Sequence, residues 1–189
     1  MRKLRILPLV LWCGLGHGVT LKYWVDACAK TMSGCHPGDP ELAQWAMEAW
    51  QAAAGGKLRL QRTTERERAQ IRVFWATGSG SLYGETRPIL VDGVRGAEVY
   101  VLAPTANASD GDALLRETVL YLTCLHESGH ALGLEHTDAF ADIMYSFQYG
   151  GDIAEYFARY RRLLTEREDI RKHPGISPDD RRHLLEVYK

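Results

Sequence analysis

The sequence predicts an α+β fold built on a mixed sheet, and three observations carry that reading. Short apolar runs have the length and alternation of strands. Longer runs repeat their apolar residues at helical spacing. The two kinds follow the order strand, helix, four strands, then helices. With 189 residues, 46% of them hydrophobic, the chain is long enough to bury a sizeable core. Its 23 basic against 24 acidic residues exclude the broad basic footprint of a nucleic-acid binder. Five tryptophans and 25% charged residues exclude a disordered tail.

The first 20 residues differ from the rest. Arg2, Lys3 and Arg5 precede an apolar run from Ile6 to Leu15, which gives way to Gly16-His17-Gly18. That is the order of a secretory signal peptide, and the run is too short to span a membrane. Residues 1–18 are therefore expected to be a signal and residues 19–189 a single exported domain, secreted or periplasmic, with no stable membrane insertion. Removing the signal leaves 20 basic against 24 acidic residues. Lipid anchoring through Cys13 is disfavoured by bulky Trp12, where such signals place a small residue. Export permits disulfides, so Cys28 and Cys35, in a short Gly/Pro-containing stretch, are expected to close a small loop. Cys124 lies in a helical run and reads as a buried thiol.

After the signal, Leu21 to Asp26 alternates as a strand. Asp39 reads as an N-cap with Pro40 at the first helical position; Leu42, Trp45, Ala46, Ala49, Trp50 and Ala53 follow at helical spacing until Gly55-Gly56. Strands are expected at Lys57 to Thr63 and Ala69 to Ala76. A Gly/Ser-rich turn, Gly78 to Ser81, precedes a short extended piece, Leu82 to Thr86. Beyond Asp92-Gly93, Ala97 to Leu102 reads as a buried strand. A polar loop, Pro104 to Asp112, contains Asn107-Ala108-Ser109, a glycosylation acceptor in a eukaryotic host. A long helix is expected from Ala113 to Leu132. Asp152 then caps a helix with Ile153, Tyr156, Phe157, Tyr160, Leu163 and Leu164 on one face, Arg159, Arg161 and Arg162 staying solvated. Pro174-Gly175 breaks it, and Ser177-Pro178-Asp179-Asp180 starts a last helix with a cap, a first-position proline and acids at its positive end.

The chemistry lies in residues 126–136, HESGHALGLEH. His126 and His130 are one helical turn apart, so both imidazoles leave the same face and can grip one ion. Glu127 is the next residue round the helix, placed to meet a water at the metal and not the metal itself. Gly133 can take a positive φ, ending the helix so that the chain turns back and brings His136 in as a third ligand. Three ligands and an open position describe a catalytic zinc site; a structural site would need a fourth protein ligand, and no nearby Cys or His supplies one.

This run resembles the metzincin signature, HExxHxxGxxH followed by a Met-turn, and most closely its matrixin (matrix metalloproteinase) branch. Asp142-Ile143-Met144-Tyr145 matches the Met-turn, Met144 lying eight residues after His136, and Thr137 follows the third histidine. Ser177-Pro178-Asp179-Asp180 through Leu185 and Tyr188 is similar to the matrixin final helix. The resemblance implies a zincin-like, twisted five-stranded mixed sheet with an active-site helix, a backing helix and a C-terminal helix. It implies one catalytic Zn²⁺ on His126, His130 and His136, and Glu127 as general base. Met144 would form an apolar floor under the ligands. Leu82, Tyr83 and Gly84 would belong to an edge strand that pairs with substrate, with Tyr145 also at the substrate; the alternative for Leu82 to Thr86 is an ordinary loop.

Departures from the family pattern are equally informative. The signal runs almost directly into the first strand, so a minimal form without the propeptide cysteine is expected. No histidine occurs between His36 and His126, which leaves out the usual structural-zinc ligands, and no calcium ligands are assigned. Phe147 to Pro174 is longer than the usual link and either packs as scaffold or narrows the pocket for the residue after the scissile bond. The reading is a metalloendopeptidase, expected to be monomeric, with a polypeptide substrate. The rival is a catalytically silent zinc-containing binding protein of the same fold, which would have no need of a base at Glu127.

Overall fold

The computed structural model describes residues 18–28, 34–76, 83–103 and 111–189. Residues 1–17 of the expected signal, with Cys13, and the Gly78–Ser81 turn, Leu82 and Asn107 lie outside them. Strand β1 (Val19–Val25) leads to helix α1 (Asp39–Ala53), then β2 (Leu58–Arg62), β3 (Ile71–Ala76), β4 (Gly84–Val91) and β5 (Val94–Leu102). Helix α2 (Ala113–Ala131) follows, then α3 (Ile153–Arg161), a short α4 (Asp169–Lys172) and α5 (Pro178–Val187). The five strands form one mixed sheet in the order β2-β1-β3-β5-β4, parallel throughout except for the antiparallel pair β4–β5. The α+β expectation and the five-stranded mixed sheet both hold.

Alternation along the strands explains the layering. In β3, Ile71, Val73 and Trp75 are buried while Arg72, Phe74 and Ala76 are not. The buried set meets the apolar stripes of α1 (Leu42, Ala46, Trp50) and α2 (Leu120, Leu125), and the core continues through Ile143, Met144 and Leu184. Trp50 is fully buried and donates its indole N–H to the Leu125 carbonyl (2.9 Å), tying α1 to the turn of α2 just before His126.

A buried ion pair makes the second tie. Arg116 of α2 donates to both carboxylate oxygens of Asp39 (2.9 and 2.7 Å), and to the Gly34 carbonyl (3.1 Å). This corrects the reading of Asp39 as an N-cap: it is the first residue of α1, and Gly38 holds the cap position. Its carboxylate turns to the buried guanidinium and also accepts from the His36 N–H (2.7 Å), a demand that local sequence does not reveal.

Strand β4 is longer than expected. Asp92 and Gly93 both have positive φ (51° and 77°), which makes the tight hairpin turn that lets strands pair up to its edge, Val91 opposite Val94. Pro88 disguises the strand in the sequence, but β4 lies at the sheet edge, where a missing N–H is tolerated. The Tyr83 carbonyl accepts from the Leu102 N–H (2.9 Å). Alternation of the ladder then turns the main-chain groups of Gly84, Thr86 and Pro88 to the open side.

The C-terminal part departs in two places. Helix α3 ends at Arg161, and Leu163, expected on its apolar face, is 53% exposed, while Leu164 is buried. Arg161 is not simply solvated but pairs with Asp112, the N-cap of α2 (3.1 Å). The short α4 was not anticipated. The disulfide forms between Cys28 and Cys35, and Cys124 is a buried free thiol. Among the described residues, no helix is long and apolar enough to cross a membrane.

Replacing Asp39 by Ala removes the carboxylate that accepts from buried Arg116 and from the His36 N–H. The variant should lose about 3–5 kcal/mol of stability, read from urea unfolding midpoints.

Candidate active site

Helix α2 carries His126, Glu127 and His130 on its last turns. Gly133 adopts φ +96°, the helix stops, and the Leu134 N–H returns to the Gly129 carbonyl (3.0 Å). The chain then runs back to His136, as the spacing predicts. The Nε2 atoms of His130 and His136 lie 3.1 Å apart, and those of His136 and His126 3.3 Å. Two of the other ring nitrogens are engaged: Nδ1 of His126 with the Ile143 carbonyl (2.6 Å), Nδ1 of His130 with the Leu134 carbonyl (2.9 Å). A proton on each Nδ1 leaves the Nε2 lone pair free for a metal.

These separations fit zinc. Ligands about 2.0–2.1 Å from a tetrahedral ion stand roughly 3.3–3.4 Å from one another. Among the described residues, His126, His130 and His136 are the one group of three that could hold a metal. Burial pushes the His126 pKa down to about 4 and lowers that of His136, so these imidazoles are neutral, as ligands must be, near pH 7.

The floor beneath them is built from both sides. Met144 is fully buried, and a Cβ on Gly129 would stand 2.3 Å from its sulfur and 3.1 Å from the Trp50 ring; only glycine lets the helix sit so close. The Met144 segment bridges to Thr137, just after His136, the Thr137 N–H donating to the Met144 carbonyl (2.8 Å) and the Ser146 N–H to the Thr137 carbonyl (3.1 Å). From below, buried Asp180 of α5 accepts from the N–H groups of Ile143 (2.8 Å), Met144 (3.2 Å) and Ser177 (2.9 Å). Ser177 donates to Asp142 (2.7 Å). The sequence marks Ser177 and Asp180 as a helix cap, and they are one; that the same carboxylate also fixes the Met144 segment depends on a tertiary contact and leaves no local signal.

Glu127 is buried beside the imidazoles, under the edge strand. The Thr86 hydroxyl lies 2.6 Å from its Oε2. Burial raises the Glu127 pKa, while that hydroxyl and His130 pull it down. Thr86 lies in the expected edge strand, and nothing local distinguishes it from any strand threonine.

A cavity of about 530 Å³ opens beside His126 and Glu127. Tyr83, Gly84 and Tyr145 line it, whereas Leu82 lies outside the described residues. Leu122 and Thr123 of α2 and Ile143 form further wall. A further wall comes from the long segment after Met144: Phe147, Gln148, Ile153, Tyr156 and Phe157. Phe157 packs on Tyr83, ring centroids 5.0 Å apart. Buried Tyr156 donates its hydroxyl to the Asp142 carbonyl (2.9 Å), pinning α3 to the Met144 segment.

The family model for matrixins matches residues 20–155, from β1 through the zinc motif into α3. The chain belongs to the matrixins. No curated protein matches it in a sequence search. Matrixins are zinc peptidases, and the histidine cluster of this matrixin has the donor set for that ion. The matched segment stops short of α5, so the likeness of Ser177–Tyr188 to the matrixin final helix lies beyond it.

One pH dependence follows for this matrixin without metal. The unfolded His126 titrates near 6.5 and the folded one near 4, so between these values the unfolded chain binds the extra proton. Stability of the zinc-free chain should therefore fall as pH drops from about 6.5 to about 4, and thermal melts across that range at constant ionic strength measure it.

Proposed function

We propose that this matrixin is an endopeptidase, hydrolysing peptide bonds in extended polypeptides outside the cytoplasm. One observation carries the reading: three imidazole nitrogens converge beside a buried carboxylate, under a strand with an open edge. His126, His130 and His136 would hold the ion. Zinc, when bound, supplies a Lewis acid that polarises the scissile carbonyl and makes water a stronger acid. Glu127 takes the proton of the attacking water and returns it to the leaving amine. Its raised pKa brings it nearer to the range in which one group can do both. The main-chain groups of Gly84 and Thr86 turn to the open edge of β4, where an extended peptide can add as a further strand. The cavity walled by α3, beside Glu127, would take the side chain that follows the scissile bond.

A binding protein of the same fold would not need Glu127. Glu127→Ala should retain its zinc and lose about 10²–10⁴-fold in peptide cleavage. Elemental analysis and digestion of a proteome-derived peptide library measure the two quantities, and undiminished cleavage by the variant would sink the proposal.

The wall made by α3 leads to a second expectation. Phe157→Leu opens the cavity without removing its apolar lining, so the preferred residue after the cleavage site should become larger. The same library reads this out, and an unchanged profile in the folded variant would make α3 scaffold.

A further inference from the structure

A glutamate side chain has three rotatable bonds, so burying Glu127 does not by itself fix where its oxygens point. Two residues of β4 restrict them. The Thr86 hydroxyl lies 2.6 Å from Oε2 of Glu127 and 3.0 Å from its main-chain carbonyl oxygen. Gly84 lies over the same side chain: a Cβ there would stand 2.7 Å from Cγ, 2.9 Å from Oε1 and 3.0 Å from Cδ. Both residues are on one face of β4, opposite the buried Val101 and Val99.

We propose that Thr86 is the positioning residue for Glu127. Its hydroxyl holds Oε2, while the absent side chain at Gly84 leaves room for Oε1, so the carboxylate keeps one orientation as the peptide adds along β4. The proposal rests on the reading of Glu127 as the general base. A hydroxyl suits the task because it both donates and accepts. It donates to Oε2 of the ionised carboxylate. It can equally turn its proton to the Glu127 carbonyl oxygen and accept from a carboxylic acid. The contact therefore holds in either half of a proton relay. Valine would match threonine in shape and in strand preference, and could do neither.

The test compares the wild type with Thr86→Val, Thr86→Ser and Glu127→Ala on one quenched fluorogenic peptide taken from the library profile. Thr86→Val should keep its zinc and remain folded, hold KM within about twofold, and lose about 10- to 100-fold in kcat, the worth of one hydrogen bond to a charged group. Thr86→Ser should recover most of that loss. In crystals of Thr86→Val, the Glu127 carboxylate should leave the position it holds in the wild type. An unmoved carboxylate, an unchanged kcat, or equal losses in the Val and Ser variants would overturn the positioning role. If Thr86→Val does not fold, Thr86→Ala replaces it, and the same recovery by Ser is required. Should Glu127→Ala cleave as well as the wild type, the base assignment itself fails. If it is inactive while Thr86→Val keeps full kcat, only the role of Thr86 is lost.

Discussion

Three imidazole nitrogens, those of His130 and His136 3.1 Å apart and those of His136 and His126 3.3 Å apart, do not gather so closely unaided. Each turns a lone pair or a proton toward the others, so before an ion arrives the arrangement must be held from outside. The holding groups are main-chain carbonyls, Ile143 for His126 and Leu134 for His130. They are only as rigid as the segments that carry them. Leu134 is set by the turn that Gly133 allows. Ile143 is set by Asp180, whose helix begins more than forty residues after His130. On the other side, Trp50 and the Asp39–Arg116 pair fix α2 against α1. The zinc motif is thus a local sequence feature whose geometry is supplied by distant parts of the chain.

That division explains how much of the molecule is legible in the sequence. The ligand spacing, the Gly133 break, the caps at Asp152 and Ser177 and the buried faces of α1 and α2 are short-range patterns, and the structure places them where the sequence reading does. What could not be read depends on partners far along the chain. Asp39 looks like a cap until Arg116 is seen to claim it. Thr86 looks like any strand residue until Glu127 lies beneath it. The far half of β4 is hidden by Pro88, which is acceptable only because no strand lies beyond it among the described residues. Leu163 fits a helical face that ends two residues too soon.

The segment after Met144 joins packing and the cavity in one set of rings. Phe140, Tyr145, Phe147, Tyr156 and Phe157 contact one another edge to face or stacked, and Arg159 lies over Phe140 and Tyr156. Four of these rings also line the cavity. Changes of selectivity made here pass through the same contacts that keep α3 in place, so altered preference and altered stability are physically coupled.

The open edge of β4, which the proposed function assigns to peptides, is equally open to another copy of the same chain. Unpaired strand edges are the usual starting point for sheet-to-sheet aggregation. Pro88 limits that hazard. It removes an N–H from the open side of β4 two residues past Thr86, while exposed Glu85 and Arg87 flank the remaining groups with charge. A second β4 seeking to pair along the whole strand loses its ladder at the proline, whereas a short stretch of peptide over Gly84 and Thr86 does not reach it. A break in the hydrogen-bond pattern thereby separates a visitor from a polymer.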